Sequence, residues 1–126
     1  MYGITLVAQN NLSRERVELE GIREDFTTLL AATEIRGRDA AGAFVLHPGK
    51  AYYHKQPGPA SRLVAQPEFW RLLDTIDNDT IGVVGHTRGA THGNPADNRN
   101  NHPLMAGGII GVHNGVITNY QKLASR

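Results

Sequence analysis

The sequence has no cysteine among its 126 residues. This absence excludes disulfide bonds, thiolate ligands for a metal ion and a thiolate nucleophile. Long apolar runs are also absent. The segment ITLVA near the start is too short to span a membrane and lacks the flanks of a signal peptide. We therefore expect a cytoplasmic protein that has no membrane partner.

The sequence also lacks an excess of either positive or negative charge. The 13 Lys and Arg residues nearly balance the 12 Asp and Glu residues, so the net charge is +1. The two signs are interleaved, as in SRERVELEGIRED, which is typical of a solvated helix face. A nucleic-acid-binding protein needs a one-sided basic stripe, so we predict no nucleic-acid partner. Repeats and linkers are absent too, and the length fits a single domain at residues 1–126.

Hydrophobic periodicity predicts the order strand, helix, two strands, helix, then two or more strands. A strand at Tyr2–Ala8 precedes a helix from residue 14 to about 33, with Asn11 or Ser13 as its N-cap. Two pairs of closely linked strands indicate antiparallel hairpins, and hence a layered α+β fold of the α/β class without a doubly wound parallel sheet. The other predicted elements are the strands AFVLH and AYYHKQ, a helix with Pro67 in its first turn that runs through EFWRLLDTI, the strand IGVVGHTR, and strands within LMAGGIIGVHNGVITNY.

Three polar clusters lie at or beside predicted strand ends. An arginine there presents a planar fork that suits a carboxylate. Asn-Gly after a strand offers a side-chain amide beside a backbone N–H, as an oxyanion hole requires. Taken singly, each cluster also fits a hairpin turn or hydrogen-bonded strand residues. The clusters are Arg36-Gly37-Arg38-Asp39, His86-Thr87-Arg88 with Thr91-His92-Gly93, and His113-Asn114-Gly115.

Four histidines between positions 86 and 113 raise the question of a metal site. The sequence contains no H-x-x-x-H pair, and no cysteine or nearby glutamate is present to complete a ligand set. We therefore predict that the protein binds no metal ion and needs no cofactor.

Taken together, the motifs resemble one family in their order and spacing. RGRDAAG, HTRGATHG, NNHP and VHNGVITNY resemble four motifs of the class II glutamine amidotransferases, above all of the glutaminase domain of glucosamine-6-phosphate synthase. The opening MYGI stands where that family has M-C-G-I. The resemblance extends from residue 1 to about Tyr120. It implies the αββα fold of the N-terminal-nucleophile hydrolases, with mostly antiparallel sheets between helical layers.

The resemblance also implies roles for the clustered residues. In the family an N-terminal cysteine attacks the side-chain amide of glutamine, and its own α-amino group is the general base. Arg88 would bind the substrate α-carboxylate together with Thr91 and His92. Asn114 and the Gly115 N–H would form the oxyanion hole. The supporting residues would be Arg36, Asp39, His86 and His113.

Three departures from the family bear on activity. Tyr2 takes the nucleophile position, and a phenol with a pKa of about 10 is a poor nucleophile at neutral pH. Tyrosine is bulky, so we expect Met1 to stay and residue 2 to lack a free α-amino group. Gly89 stands where the family has a large residue, which predicts a more mobile loop and a wider pocket. The chain is also shorter than family domains, which predicts an apolar sheet face that is covered by a partner protein or by self-association.

Three functions stay open on these grounds. The first is a shortened, catalytically disabled amidotransferase-like domain that binds a partner protein, and glutamine or a related amino acid in a retained Arg88 pocket. The second is an active glutaminase component that releases ammonia from glutamine. The third is a structural or interaction protein that reuses the fold and has a vestigial pocket.

Overall fold

The structure, a computed structural model, describes residues 1–10 and 12–125. Its largest element is a four-stranded antiparallel sheet with the strand order β1-β4-β2-β3. A separate antiparallel hairpin consists of β5 and β6. The strands are β1 Tyr2–Ala8, β2 Ala40–His47, β3 Lys50–Pro57, β4 Gly82–Arg88, β5 Leu104–Ala106 and β6 Ile109–Gly111.

The α-helices of the described residues are α1 Arg16–Ala32, α2 Ala60–Val64, α3 Pro67–Leu73 and α4 Tyr120–Ala124. Helix α1 begins after Glu15, whose backbone N–H donates to the Glu18 carboxylate at 2.8 Å. Ser13 therefore lies outside the helix and is not its cap, and the other predicted cap, Asn11, lies outside the described residues. None of these helices is long and apolar enough to cross a membrane.

Helices α1, α2 and α3 pack against one face of the large sheet. Odd-numbered residues of β2 and β4 point to this face, where α1 comes so close that a Cβ on Gly85 would lie 2.8 Å from the Leu30 side chain. The resulting core excludes water from twelve apolar side chains, whose burial stabilises the fold. They are Phe26, Leu30, Ala41, Ala43, Val45, Ala60, Leu63, Phe69, Leu72, Leu73, Ile76 and Val83.

The opposite face of the sheet carries the polar residues of interest. In the strand register Tyr2 pairs with Arg88, while His86 lies between Ile4 of β1 and Gly42 of β2. Residues 101–103 cross this face so closely that a Cβ on Gly42 would lie 2.0 Å from a backbone oxygen of that segment. Lys55 stabilises this segment, because its ammonium group donates to the backbone oxygens of Asn101 and Pro103, both at 2.8 Å.

The predicted layered α+β class with antiparallel sheets is confirmed. The strand Tyr2–Ala8 and the β2–β3 hairpin form as predicted. The αββα fold of the N-terminal-nucleophile hydrolases stays a prediction. Helix α3 ends at Leu73, shorter than predicted, because the chain turns there and brings Ile76 into the core from a loop.

Candidate functional site

A cleft of about 380 Å³ opens where β1 begins and β4 ends. It brings together residues from distant parts of the sequence because β1 and β4 are neighbours in the sheet. Six residues predicted from the sequence line it: Tyr2, Arg88, Thr91, His92, His113 and Gly115. The other lining residues are Gly93, Arg99, Asn100, His102, Leu104, Val116, Ile117 and Tyr120.

Arg88 is the buried cation of this cleft, with 4% of its surface exposed. Its guanidinium donates to Oδ1 of Asn101 at 2.9 Å, to the carbonyl oxygen of Gly93 at 3.0 Å, and to the carbonyl oxygen of His92. All three acceptors are neutral, and no carboxylate among the described residues forms an ion pair with Arg88. A buried charge without a counter-charge is costly, so this site favours an anion.

Asn101 positions the arginine from inside the protein. Its side chain is fully buried and donates to the carbonyl oxygen of Pro95 at 2.8 Å and to Oδ1 of Asn98 at 3.1 Å. Oδ1 accepts a hydrogen bond from Arg88, so both the oxygen and the nitrogen of the Asn101 amide are hydrogen-bonded. The sequence predicts no individual role for Asn101. The only indication in the sequence that Asn101 belongs to the site is its place in the NNHP motif.

Tyr2 extends its side chain into the cleft. Its hydroxyl is hydrogen-bonded to Oγ1 of Thr91, and its ring centre lies 5.9 Å from that of His86. Arg36 donates from Nε to the backbone oxygen of Tyr2 at 2.9 Å. Arg36 therefore contacts the beginning of β1 and is absent from the lining of the cleft.

The loop after β4 is held at two successive residues. The Asp39 carboxylate accepts the backbone N–H of Ala90 at 2.7 Å. Gly89 donates its N–H to the backbone oxygen of Met1 at 2.7 Å. A Cβ on Gly89 would lie 2.6 Å from that same oxygen, so the main chain of Met1 occupies the space that a larger residue would need.

Of the two residues of the predicted oxyanion hole, Gly115 lines the cleft and Asn114 contacts His86. Gly115 lines the cleft with a φ of 120°, a conformation that favours glycine. Asn114 places Oδ1 3.2 Å from Nε2 of His86, which also lies 3.3 Å from the carbonyl oxygen of His113. Because both oxygens are acceptors, Nε2 of His86 carries the proton and donates.

His86 and His102 lie against each other inside the protein, with their ring centres 4.1 Å apart and their ring planes tilted by 34°. Burial is the main cause that lowers the pKa of His86 to about 4, and the charge of Arg88 acts in the same direction. Burial, followed by the positive charges of His86 and Arg88, lowers the pKa of His102 to about 4. Both imidazoles are therefore neutral at pH 7. The sequence indicated His102 only through the NNHP motif.

The lining of the cleft combines positive charge with hydroxyl groups. Arg88 and Arg99 supply positive charge, and Tyr2 and Thr91 supply hydroxyl groups. Within residues 1–10 and 12–125, no three His, Asp or Glu side chains are grouped to hold a metal ion.

Comparison with known proteins gives relatives named glutamine–fructose-6-phosphate aminotransferase (isomerizing). The protein from Corynebacterium glutamicum is 36% identical over 120 residues, which cover 94% of this chain and 18% of the relative. The protein from Pyrococcus horikoshii is 40% identical over 95 residues, which cover 75% of this chain and 15% of the relative. The chain is homologous to a segment of these aminotransferases.

A third relative, from Caldanaerobacter subterraneus subsp. tengcongensis, is 44% identical over 100 residues, covering 75% of this chain and 15% of the relative. The chain thus spans between 15% and 18% of the length of these three proteins. No protein-family model matches it. The homology supports a domain related to the glutamine amidotransferases.

Proposed function

We propose that this amidotransferase-like domain binds a small carboxylate, glutamine or a related molecule, and does not hydrolyse it. The observation that supports the proposal is that the buried Arg88 in the cleft has no counter-charge among the described residues. Its contacts are neutral oxygens, and its charge lacks a carboxylate partner among the described residues. A planar guanidinium is suited to bind a carboxylate, and such a ligand would compensate the buried charge.

The absence of hydrolysis rests on Tyr2. A phenol is mostly protonated at neutral pH and is a poor nucleophile. We expect Met1 to be retained because Tyr2 is bulky; the nitrogen of Tyr2 would then lie in a peptide bond, and a peptide nitrogen has no basic lone pair to serve as general base. The Tyr2 hydroxyl is instead paired with Thr91, which the family resemblance assigns to substrate binding.

Calorimetric titration with L-glutamine tests the proposal. We expect saturable heat with the unaltered protein and none with Arg88→Met. Arg23→Met is the matched control, because Arg23 is a half-buried arginine that, like Arg88, donates to backbone oxygens, and it lies on the helical side of the sheet. Thermal melting of each variant verifies that it is folded.

Two results would contradict the proposal. Binding that is the same in Arg88→Met and in the control would remove Arg88 from the site. Release of glutamate by the unaltered protein, abolished in Asn114→Ala, would favour an active glutaminase instead.

Self-association through β1 is a second proposal. Ile4 and Leu6 are 44% and 61% exposed on the sheet face that the helices leave open. Strand β1 also lies at an edge, paired in the described residues with β4 alone. Two copies that pair antiparallel through β1 would join their sheets about a two-fold axis and cover the unpaired backbone groups.

Light scattering tests this second proposal. We expect a dimer for the unaltered protein and a monomer for Leu6→Asp. Leu12→Asp is the control, because Leu12 is 68% exposed and precedes α1, outside the sheet. A monomeric unaltered protein at micromolar concentration would reject self-association.

A further inference from the structure

Asn114 and Gly115 form the single Asn-Gly dipeptide of the sequence, in the segment that follows β6. Both residues are exposed and lie outside helices and strands. Gly115 has a φ of 120°, and without a Cβ it leaves its backbone nitrogen open to approach. A backbone nitrogen in this position can attack the side-chain amide of the preceding asparagine, because the two groups close a five-membered ring. Asn114 is therefore the asparagine of this sequence that is most open to intramolecular attack.

His86 contacts the carbonyl end of that amide. Its Nε2 proton is shared between Oδ1 of Asn114 at 3.2 Å and the carbonyl oxygen of His113 at 3.3 Å. Attack on Cγ of Asn114 places negative charge on Oδ1, and a hydrogen bond becomes stronger when its acceptor is charged. The imidazole of His86 is buried, so this donor is in position before the charge develops. His86 can therefore stabilise the tetrahedral intermediate of an attack on Asn114.

His113 lies beside the residue that supplies the attacking nitrogen. A Cβ on Gly115 would lie 3.6 Å from Cε1 and 3.8 Å from Nε2 of His113, so the imidazole borders the main chain of Gly115. The side chain of His113 is exposed, and its ring makes no hydrogen bond to the described residues. An unprotonated ring nitrogen in this place can take the proton of the Gly115 N–H, as a general base does. The fold thus supplies a donor for the developing charge and a base for the nucleophile.

We propose that Asn114 is a self-modification site, at which the protein converts the side-chain amide to a carboxylate through a cyclic imide. The backbone nitrogen of Gly115 bonds to Cγ of Asn114, and its proton passes through His113 to Nδ2, which leaves as ammonia. Water then opens the imide at either of its two carbonyl carbons and leaves aspartate or isoaspartate at position 114. This deamidation consumes one water and releases one ammonia. It requires no ligand, so it does not depend on the proposed binding function.

Incubation of the folded protein at neutral pH, followed by peptide mapping with mass spectrometry, tests the proposal. We expect both aspartate and isoaspartate to accumulate at position 114. The rate should be at least about ten-fold higher in the folded protein than in the same chain unfolded in urea, which keeps the dipeptide but loses the contact with His86. Asn119 is the internal control, because it is also exposed but precedes a tyrosine, and it should stay unchanged over the same period.

Variants of the two histidines test their roles. His86→Gln keeps a side-chain N–H donor, whereas His86→Met removes the donor and keeps an apolar side chain of similar size. We expect a rate about ten-fold lower in His86→Met and largely restored in His86→Gln. His113→Leu, at an exposed position, should lower the rate by about ten-fold as well. Thermal melting of each variant verifies that it is folded.

Three results would overturn the proposal. The first is a folded protein that deamidates no faster than the chain in urea, since the dipeptide alone would then account for the reaction. The second is an unchanged rate in a folded His86→Met or in His113→Leu. The third is aspartate without isoaspartate, because opening of a cyclic imide gives both. If His86→Met does not fold, the comparison with the unfolded chain and the His113→Leu variant still decide the question.

Discussion

Arg88 and Asn101 form a buried polar pair, in which the guanidinium donates to Oδ1 of the amide at 2.9 Å. One residue ends β4, and the other lies in the segment that crosses the open face of the sheet. The pair therefore connects the end of β4, at the cleft, to the segment of residues 101–103 through a neutral acceptor. A neutral acceptor orients the guanidinium without neutralising its positive charge.

Replacing Asn101 should loosen this connection. Asn101→Ala removes one of the three acceptors of the buried Arg88, and the donor to half-buried Pro95 and exposed Asn98. We expect the free energy of unfolding to fall by about 1–3 kcal/mol, mainly because the buried guanidinium loses an acceptor. Urea denaturation measures this change.

Asn119→Ala is the control for that experiment. Asn119 precedes α4, is exposed and makes no side-chain cap. Its replacement should change the free energy of unfolding by no more than about 0.5 kcal/mol. Equal effects of the two replacements would show that the Asn101 contacts do not stabilise the fold.

Gly89 is predicted to resist even a methyl group. A Cβ there would lie 2.6 Å from the backbone oxygen of Met1, so the main chain would have to move. We expect Gly89→Ala to lower the free energy of unfolding by about 1–3 kcal/mol. Gly21→Ala is the opposite case, because position 21 lies in α1 with open space around it, and it should gain about 0.5–1 kcal/mol. Similar urea midpoints for the two variants would contradict the tight contact with Met1.

Local patterns were sufficient for the longer elements of the fold. The apolar segment at Tyr2–Ala8 predicts β1 with the observed bounds, and Pro67 correctly marks the first turn of α3. Helices α2 and α4 have five residues each, too few to establish a helical period. Their existence depends on neighbouring structure, which a local pattern does not contain.

The sequence motifs predict which residues belong to the candidate site, but they predict few of the contacts between those residues. Motif order indicates that Arg88, Thr91 and His92 belong together, and these residues line one cleft. The contact between Tyr2 and Thr91 depends on the β1–β4 register, which joins residues 89 positions apart. The contact between the rings of His86 and His102 likewise arises from a segment that crosses the sheet, and no spacing in the sequence encodes it.

The buried histidines predict loss of stability in mild acid. Their pKa in the folded state is about 4, below the value of about 6.5 for an unfolded chain. As pH falls from about 6.5 to about 4, the unfolded state takes up protons that the folded state does not. The free energy of unfolding should therefore decrease through this window and change no further on account of these groups below it. Comparing His102→Gln with the unaltered protein cancels the carboxylate titrations, and the variant should show a shallower decrease. Parallel curves would contradict the assignment.

Tyr2→Phe separates a binding residue from a nucleophile. The variant keeps the ring beside His86 and removes only the hydroxyl that is paired with Thr91. We expect a loss of about 0.5–1.5 kcal/mol in the free energy of unfolding, the value of one hydrogen bond. Glutamate release from L-glutamine should stay at background in both proteins, because the phenol is not activated by a base of its own residue. Turnover in the unaltered protein that disappears in Tyr2→Phe would instead identify the phenol as the attacking group and the domain as an enzyme.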